Sequence, residues 1–248
     1  MRIVGVIPAA GKGERLLPYS VEKEMFPVGF HKGKPKPVSQ YLVERMAFSG
    51  VKNIFMIINH TKVSLMKYYK SGKWLGLNII YVYQDEPLGM GDALCALLPW
   101  VKDEIVVMGM PDTIFEPFNA FSVLIKFYNQ STSDLVLGLF EVSDPSKYGM
   151  IELDENYNVI CHVDKPQGST LRWCWGIACW GPRFSQFIQS ICENQGKKFK
   201  EFTFGHLIDL GMNCGLIIKG VKFEGGRYID LGTSEGISEA IALYSQQI

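Results

Sequence analysis

Residues 3–16 have the sequence IVGVIPAAGKGERL, and this stretch is typical of the start of an open α/β sheet. The apolar run Ile3–Ile7 predicts a buried parallel strand, and the glycines after it predict a tight turn at the strand's carboxyl end. Open α/β sheets bind their ligands at that end. Gly11 and Gly13 can adopt positive φ, which lets backbone N–H groups approach a polyphosphate, and Arg15 adds a forked cationic donor. We interpret the stretch as a phosphate-binding loop.

A lone Gly-x-Gly is equally compatible with an ordinary strand-to-helix turn in which Lys12 and Arg15 are solvated. Two better-known nucleotide motifs are excluded. No window supplies the P-loop pattern Gly-x-x-x-x-Gly-Lys-Ser/Thr, and Leu16 stands where a dinucleotide fingerprint needs glycine or alanine. Lys23, eight residues beyond Arg15, adds a mobile point charge to the loop.

The composition predicts a globular protein that binds a small partner. The 248 residues are 47% hydrophobic and 12% aromatic, enough for a substantial core. Twenty-five basic and twenty-five acidic residues balance, so no nucleic-acid or membrane surface is indicated. The start of the chain lacks a signal-peptide layout, and no apolar run reaches the ~18 residues of a membrane helix, so we expect a cytoplasmic protein. A homo-oligomer remains compatible with the sequence.

The six cysteines are scattered, without a Cys-x-x-Cys pair, which argues against a zinc ribbon or a redox motif. We expect reduced, mostly buried thiols. The four histidines, His31, His60, His162 and His206, lie in different segments without metal-ligand spacing, so we expect ordinary surface or core roles for them.

Hydrophobic periodicity predicts alternating strands and helices in the first half of the chain, as in a doubly wound sheet. The second half contains a predicted hairpin, 148–153 with 158–163, and further strands and helices. We expect one compact domain over 1–248, with halves at about 1–133 and 134–248. The predicted strands are 2–7, 53–58, 77–82, 105–108, 134–140, 173–180, 215–219 and 227–230, and the predicted helices are 38–49, 63–71, 89–99, 183–193, 200–210 and 234–246.

Glycines and prolines with a basic cluster predict a loop over residues 29–37. A mobile flap beside the substrate is one interpretation of this loop, and a merely solvated connection is the other.

Two carboxylates follow predicted strands at the edge where ligands bind. Asp112 comes after the strand 105–108, and Asp230 ends the strand 227–230. Mg²⁺ is usually held by one or two carboxylates together with substrate phosphates, so these residues are candidate magnesium ligands. Either residue alone is better explained as a cap or turn residue, and it is their pairing that favours a metal site. Lys165, held before a proline, is a candidate phosphate ligand.

Taken in chain order, these segments resemble the sugar-1-phosphate nucleotidyltransferases, the pyrophosphorylases that make nucleoside-diphosphate sugars. The resemblance covers nearly the whole chain and implies a Rossmann-like doubly wound mixed α/β sheet with a smaller hairpin-and-helix lobe that binds the sugar. It rests on the glycine loop with Arg15, Lys23–Pro27, Gln84 with Gly89–Ala93, Met110–Phe115, Tyr148–Gly149, Asp164–Pro166, Gly176 and Tyr228–Thr233.

The resemblance implies a role for each matching position. Gly11, Gly13 and Arg15 would hold the triphosphate of UTP or dTTP, and Lys23 would lie against the phosphates near the reacting centre. Mg²⁺ would be the cofactor, and Lys165 would hold the sugar phosphate. The implied catalytic residues are Arg15, Lys23, Asp112 and Lys165. The implied ligand contacts are Ala9, Ala10, Gly11, Gly13, Gln84 and Gly89 for the nucleotide, Tyr148, Gly149, Asp164, Lys165 and Gly176 for the sugar, and Asp112 and Asp230 for the metal.

Two alternatives stay open: cytidylyl transfer to a non-sugar phosphate such as phosphocholine, and a catalytically silent relative that binds a sugar nucleotide and regulates a partner. The chain departs from the family pattern at Glu14, where a small hydroxyl residue is common, and at Asp164, where a glutamate is usual.

Overall fold

A computed structural model of the chain describes residues 1–11, 22–86, 88–194 and 199–244. The strands in these ranges are β1 (Ile3–Pro8), β2 (Pro27–His31), β3 (Lys34–Pro37), β4 (Asn53–Ile58), β5 (Asn78–Tyr83), β6 (Ile105–Gly109), β7 (Thr113–Glu116), β8 (Leu135–Glu141), β9 (Gly149–Leu153), β10 (Val159–Asp164), β11 (Trp173–Trp180), β12 (Ile218–Lys222) and β13 (Arg227–Asp230). The α-helices are α1 (Val38–Phe48), α2 (Val63–Tyr69), α3 (Met90–Val101), α4 (Ala120–Gln130), α5 (Pro182–Asn194), α6 (Phe204–Asn213) and α7 (Ser234–Tyr244). Over the ranges described, none of the helices combines the length and apolar character that crossing a membrane requires.

Nine of the described strands form one sheet around a parallel centre with the order β6-β1-β4-β5. The long strand β11 runs antiparallel along β6, so the sheet is mixed. The other edge of β11 pairs with β8, which in turn pairs in parallel with β12. The first part of β11 also meets the antiparallel hairpin of β9 and β10. Strands from both halves of the chain therefore belong to one continuous sheet.

Side chains alternate along each central strand, so these strands carry apolar residues on both faces of the sheet. Helices cover both faces. Val4 and Val6 of β1 pack in a cluster with residues of α3, α5 and α6. Ile7, which points to the other face, packs in a cluster with residues of α1, α2 and α4. The predicted mixed, doubly wound α/β fold is confirmed.

The segment predicted to be a loop over 29–37 is instead the hairpin of β2 and β3, and that prediction was wrong. Its turn contains Gly33 at φ +74°, so the glycine marks the hairpin turn rather than an irregular loop. Val28 of β2 is buried in a small core with residues of α7. Tyr41 donates its hydroxyl hydrogen to the Val28 carbonyl over 2.9 Å. The hairpin is thus packed against the body of the protein.

A short antiparallel pair, β7 with β13, was only half predicted, since β7 did not appear in the hydrophobic pattern. Asp230 is registered with Thr113 in this pair, and the N–H of Leu231 donates to the carbonyl of Asp112 over 2.9 Å. The pair therefore holds the two candidate metal carboxylates on neighbouring segments.

Cys95 of α3 and Cys192 of α5 form a disulfide across the helix layer. The expectation of reduced thiols was wrong for this pair. The two cysteines are 97 positions apart, and no spacing rule connects cysteines that only tertiary structure brings together. Cys174 and Cys179 are buried free thiols, as expected, and Cys214 is exposed.

Candidate active site

The carboxyl ends of the parallel strands open into a cavity of about 630 Å³. Residues after β1, β5 and β6 form one wall, and the hairpin of β9 and β10 with the start of α6 forms another. Asn59, directly after β4, donates from Nδ2 to the carbonyl of Ala10 over 2.6 Å and so holds the start of the glycine loop against the sheet. The cavity lies where open α/β sheets place their ligands.

Many of the residues predicted from the sequence line this one cavity although they are distant in the chain. They are Ala10, Gly11, Lys23, Gln84, Gly89, Asp112, Gly149, Asp164 and Lys165.

The side chains of Lys23 and Asp112 form a largely buried ion pair at the centre of the wall, with Nζ 2.5 Å from Oδ2. Burial lowers the pKa of Lys23, but the charge and hydrogen bond of Asp112, with smaller contributions from Glu24 and Asp230, outweigh burial and raise that pKa above 10.5. Lys23 is therefore a fixed cation beside a carboxylate, at the edge that binds ligands.

The pair of Glu24 and Lys62 lies behind this cation and was missed by the sequence analysis. Nζ of Lys62 is 3.1 Å from both carboxylate oxygens of Glu24, and the two side chains are only 3% and 0% exposed. Burial raises the pKa of Glu24, and the charges of Lys62 and Lys23 oppose that rise. The pair attaches the one-turn 3₁₀ helix Lys23–Met25 to the segment after β4.

Gln84 is buried directly after β5, with its amide oriented by Asp92. Its Nε2 donates to Oδ2 of Asp92 over 2.6 Å and, more weakly, to the carbonyl of Gly89 over 3.4 Å. A carboxylate can only accept, so the amide nitrogen faces Asp92, and the side-chain carbonyl is the group that Gln84 can offer to a ligand. Gly89 has φ +110°, and a Cβ there would collide with the backbone of Phe202, so only glycine fits.

Asp164 and Lys165 lie exposed at the end of β10, on the rim of the cavity. Lys165 has the left-handed φ of +48°, and its N–H donates to the carbonyl of Tyr148 over 2.9 Å. This conformation is uncommon for a residue with a side chain, and such strained positions cluster at functional sites.

Asp230 lies at the boundary between the cavity and a neighbouring groove. Its Oδ1 accepts the N–H of Gly232 over 2.7 Å, and Gly232 lines the cavity, while Asp230 itself lines the groove. Within the described ranges, no three His, Cys, Asp or Glu side chains group closely enough to hold a metal ion by themselves. Asp112 and Asp230 supply hard oxygen donors, which suit Mg²⁺ when substrate oxygens complete its coordination.

The structure does not bring every predicted residue into the cavity. Ala9 is buried, and its N–H donates to the carbonyl of Ile57 over 2.8 Å. Tyr148 lines the neighbouring groove with its ring against Tyr228, and burial raises the pKa of its hydroxyl. Gly176 lies at a bulge of β11, where a Cβ would overlap the Tyr228 ring. Gly13 and Arg15 lie outside the described residues, as does Glu14.

The hairpin wall contains residues that were not among the predicted site residues. His162 and Trp175 line the cavity, and Glu201, Thr203 and Gly205 complete the wall around them. The alternation of β10 places His162 on the same face as Asp164, two positions later. This spacing of two residues was the signal in the sequence that could have assigned His162 to the site. It was not used, because the four histidines lie in different segments and were expected to have ordinary roles.

The family model described as Nucleotidyl transferase matches residues 4–247. The chain belongs to the nucleotidyl transferase family. A glucose-1-phosphate thymidylyltransferase of Neisseria meningitidis is 24% identical to this nucleotidyl transferase over 240 residues, which cover 95% of this chain and 80% of the relative. The UTP–glucose-1-phosphate uridylyltransferase 2 of Staphylococcus saprophyticus is 30% identical over 195 residues, covering 66% of this chain and 65% of the relative.

The fold of this nucleotidyl transferase matches solved structures closely. A Bacillus anthracis structure, provisionally named as a glucose-1-phosphate thymidylyltransferase in complex with sucrose, superimposes with a TM-score of 0.87. The match covers 99% of this chain and 96% of that chain at 21% sequence identity. These comparisons confirm three predictions: the family resemblance, the fold class and the assignment to an enzyme class, nucleotidyl transfer.

Proposed function

We propose that this nucleotidyl transferase transfers a nucleotidyl group from UTP or dTTP to a sugar 1-phosphate, forming a nucleoside-diphosphate sugar and releasing pyrophosphate. The observation that carries the proposal is one cavity shared by Lys23 and Asp112 on the glycine-loop side and by Asp164 and Lys165 on the hairpin side. Its volume of about 630 Å³ lies within the roughly 300–1,000 Å³ usual for small-molecule sites.

The orientation of Gln84 supports the proposed choice of base. Asp92 engages the amide nitrogen, so Gln84 offers an acceptor to the base. Uracil and thymine both carry an N–H donor on the edge that a pocket reads, and cytosine has an acceptor at the same ring position. The arrangement therefore favours UTP or dTTP over CTP. The names of the relatives from Neisseria meningitidis and Staphylococcus saprophyticus agree with this choice.

The chemical step requires positioning and charge neutralisation rather than a covalent enzyme intermediate. A phosphate oxygen of the sugar 1-phosphate attacks the α-phosphorus in line, the bond to the bridging oxygen breaks, and pyrophosphate leaves with the electron pair. Lys23 is a buried cation at the edge where the phosphates would lie, and it would neutralise the charge that develops there. Arg15 would hold the triphosphate from the loop.

Mg²⁺ is the cofactor that the donor chemistry suits. Asp112 and Asp230 would hold it together with phosphate oxygens. When bound, the ion would neutralise phosphate charge and orient the reacting groups.

The acceptor would occupy the hairpin side of the cavity. Lys165 is an exposed cation on the rim and would bind the phosphate of the acceptor, while Asp164 would accept hydrogen bonds from its hydroxyl groups. The two residues are adjacent, so both ends of a sugar phosphate could be held by one short segment.

Phosphocholine is a second candidate acceptor, supported by the aromatic side chains of the same wall. Trp175 and Phe204 line the cavity with ring centroids 4.9 Å apart, and the carboxylates of Asp164 and Glu201 lie on the same wall. Aromatic faces and carboxylates bind quaternary ammonium groups well.

The decisive experiment measures pyrophosphate release for UTP, dTTP, CTP, ATP and GTP against a panel of sugar 1-phosphates and phosphocholine, with Mg²⁺ and with EDTA. We expect turnover with a sugar 1-phosphate and UTP or dTTP, and loss of turnover in EDTA. Turnover with phosphocholine and CTP alone would overturn the proposal in favour of the second candidate. Full activity in EDTA would overturn the magnesium assignment.

A further inference from the structure

The imidazole of His162 has an unused polar atom at the hairpin wall of the cavity. Within the described residues, Nε2 of His162 is the one buried side-chain nitrogen or oxygen without a hydrogen-bond partner. The side chain is 3% exposed and lines the cavity. Buried polar atoms are almost always paired, so an orphan beside a ligand cavity points to a partner that the ligand supplies.

Asp209 determines what kind of partner Nε2 requires. Nδ1 of His162 lies 2.9 Å from Oδ1 of Asp209, a residue of α6. A carboxylate can only accept, so Nδ1 carries the hydrogen. In the neutral imidazole Nε2 is then an acceptor, and its partner must be a donor such as a hydroxyl group.

The space around Nε2 is formed by two glycines that also line the cavity. A Cβ at Gly149 would lie 3.3 Å from Nε2, and a Cβ at Gly205 would lie 3.1 Å from it. Neither position contributes a side chain that could satisfy the nitrogen. The same Cβ at Gly149 would lie 2.5 Å from Nε1 of Trp175, so a second polar ring atom lies beside this glycine.

We propose that His162 is a positioning residue of the acceptor site, whose Nε2 accepts a hydrogen bond from a hydroxyl group of the acceptor sugar. This inference rests on the proposed function and narrows its acceptor class. A polyhydroxylated acceptor supplies the donor that Nε2 needs. The trimethylammonium group of choline has neither an N–H nor an O–H, and phosphocholine would leave Nε2 unpaired. His162 thus selects against the second candidate acceptor, although the aromatic wall suits it.

The test combines variants of His162 with deoxygenated acceptors. His162→Phe keeps the ring volume and removes the acceptor atom, and His162→Gln keeps a hydrogen-bonding group at similar reach. His60→Phe changes an exposed histidine outside the cavity and is the matched control. Each variant is assayed with the best sugar 1-phosphate of the panel, with each of its monodeoxy analogues, and with phosphocholine.

We expect His162→Phe to lower kcat/KM for the sugar 1-phosphate by about 10- to 100-fold, while KM for the nucleotide changes less than about twofold. His162→Gln should recover part of the loss. For one monodeoxy analogue, His162→Phe should cause no further loss, because the hydroxyl that His162 contacts is already missing. Asp209→Asn, at a partly exposed position, should show the same analogue dependence in a weaker form.

Equal kinetics for His162→Phe and wild type across the panel would overturn the inference and leave the proposed function standing. The same holds if His162→Phe causes an equal loss with every analogue, since a structural role would not single out one hydroxyl. A wild-type enzyme that prefers phosphocholine, or turns over no sugar 1-phosphate, would overturn both. If His162→Phe does not fold, as judged by circular dichroism, His162→Gln and Asp209→Asn still decide by their analogue dependence.

Discussion

The ammonium group of Lys23 lies 2.5 Å from a carboxylate oxygen of Asp112, although the two residues are 89 positions apart in the chain. The pair joins the segment after the glycine loop to the carboxyl end of the central strand β6. Each partner holds the other in position in the cavity wall, so a substitution of either should lower the activity, and the charge left without its partner should also lower the stability.

Asp112→Asn is expected to lower kcat by at least about 100-fold, because it removes charge from both the Lys23 contact and the proposed metal site. Lys23→Met should reduce kcat to a similar degree. Pyrophosphate release and urea denaturation, measured on the same samples, separate activity from stability. Asp103→Asn, on an exposed turn, is the control and should leave both quantities unchanged. Near wild-type turnover by Asp112→Asn would remove Asp112 from the mechanism.

The buried pair of Glu24 and Lys62 should contribute through stability. Lys62→Met leaves the Glu24 carboxylate buried without its partner, and we expect a loss of about 3–5 kcal/mol in the free energy of unfolding. Urea denaturation measures this loss. Lys67→Met, at an exposed position of α2, the helix that follows Lys62, should change stability by less than about 0.5 kcal/mol.

The double variant Glu24→Gln with Lys62→Met should recover most of the stability, because no charge is then left buried alone. A double variant as unstable as Lys62→Met would show that packing, and not charge pairing, governs this position.

Gln84→Ala is expected to change nucleotide choice more than the maximal rate. It removes the acceptor that Asp92 orients, so the preference for UTP or dTTP over CTP should fall by about 10-fold or more. The ratio of kcat/KM values for the three nucleotides is the measurement. Gln167→Ala, at an exposed position beyond the hairpin, is the control. An unchanged ratio would mean that Gln84 does not contact the base.

The free energy of unfolding should fall steeply at alkaline pH. Burial raises the pKa of Tyr41, Tyr68 and Tyr81 from 10.0 to about 12. A pKa raised by folding stabilises the native state below the unfolded pKa, and this stability is lost as the pH rises through the folded value. The loss should therefore appear between pH 10 and about 12. The raised pKa of Lys23 acts in the same direction, above 10.5.

Urea denaturation across this interval, followed together with phenolate absorbance, checks the pH prediction. In Tyr81→Phe the free energy of unfolding should fall less steeply with pH. This variant also removes the hydrogen bond that the Tyr81 hydroxyl donates to the carbonyl of Lys70. A free energy of unfolding that stays constant across the interval would contradict the prediction.

The disulfide between Cys95 and Cys192 closes a loop of 97 positions, so its removal should cost about 3–5 kcal/mol by the chain-entropy estimate. The variant Cys95→Ala with Cys192→Ala should show this loss in urea without reductant. Cys214→Ala removes an exposed free thiol and should be neutral. Added reductant should lower the stability of wild type and leave that of the double variant unchanged.

Most of the fold could be predicted because the central strands are continuous apolar runs and the helices have clear amphipathic periods. β11 was predicted at its observed bounds, Trp173–Trp180. The hairpin at Pro27–Pro37 was missed because glycine and proline mark tight turns and irregular loops alike. The strand Thr113–Glu116 was missed because it is short and its partner, β13, lies more than 100 positions away.

The lining of the cavity was predictable where one residue type in one position has a direct chemical meaning, as for Asp112 after a buried strand. It was not predictable where the function of a residue depends on its neighbour in space. Glu24 and Lys62 are 38 positions apart, and His162 and Asp209 are 47 apart. Each of these residues has an unremarkable local sequence, so only the folded structure reveals the pairing.

The hairpin of β9 and β10 meets β11 through one registered pair, Cys174 with Met150, whereas β11 runs along β6 through four. The hairpin is also held from outside the sheet, since Asp209 of α6 lies 2.9 Å from Nδ1 of His162. The hairpin and α6 therefore form the smallest unit to exchange between relatives. That unit, grafted from a homologue with another acceptor, should change the acceptor range, while the nucleotide preference of the host is retained.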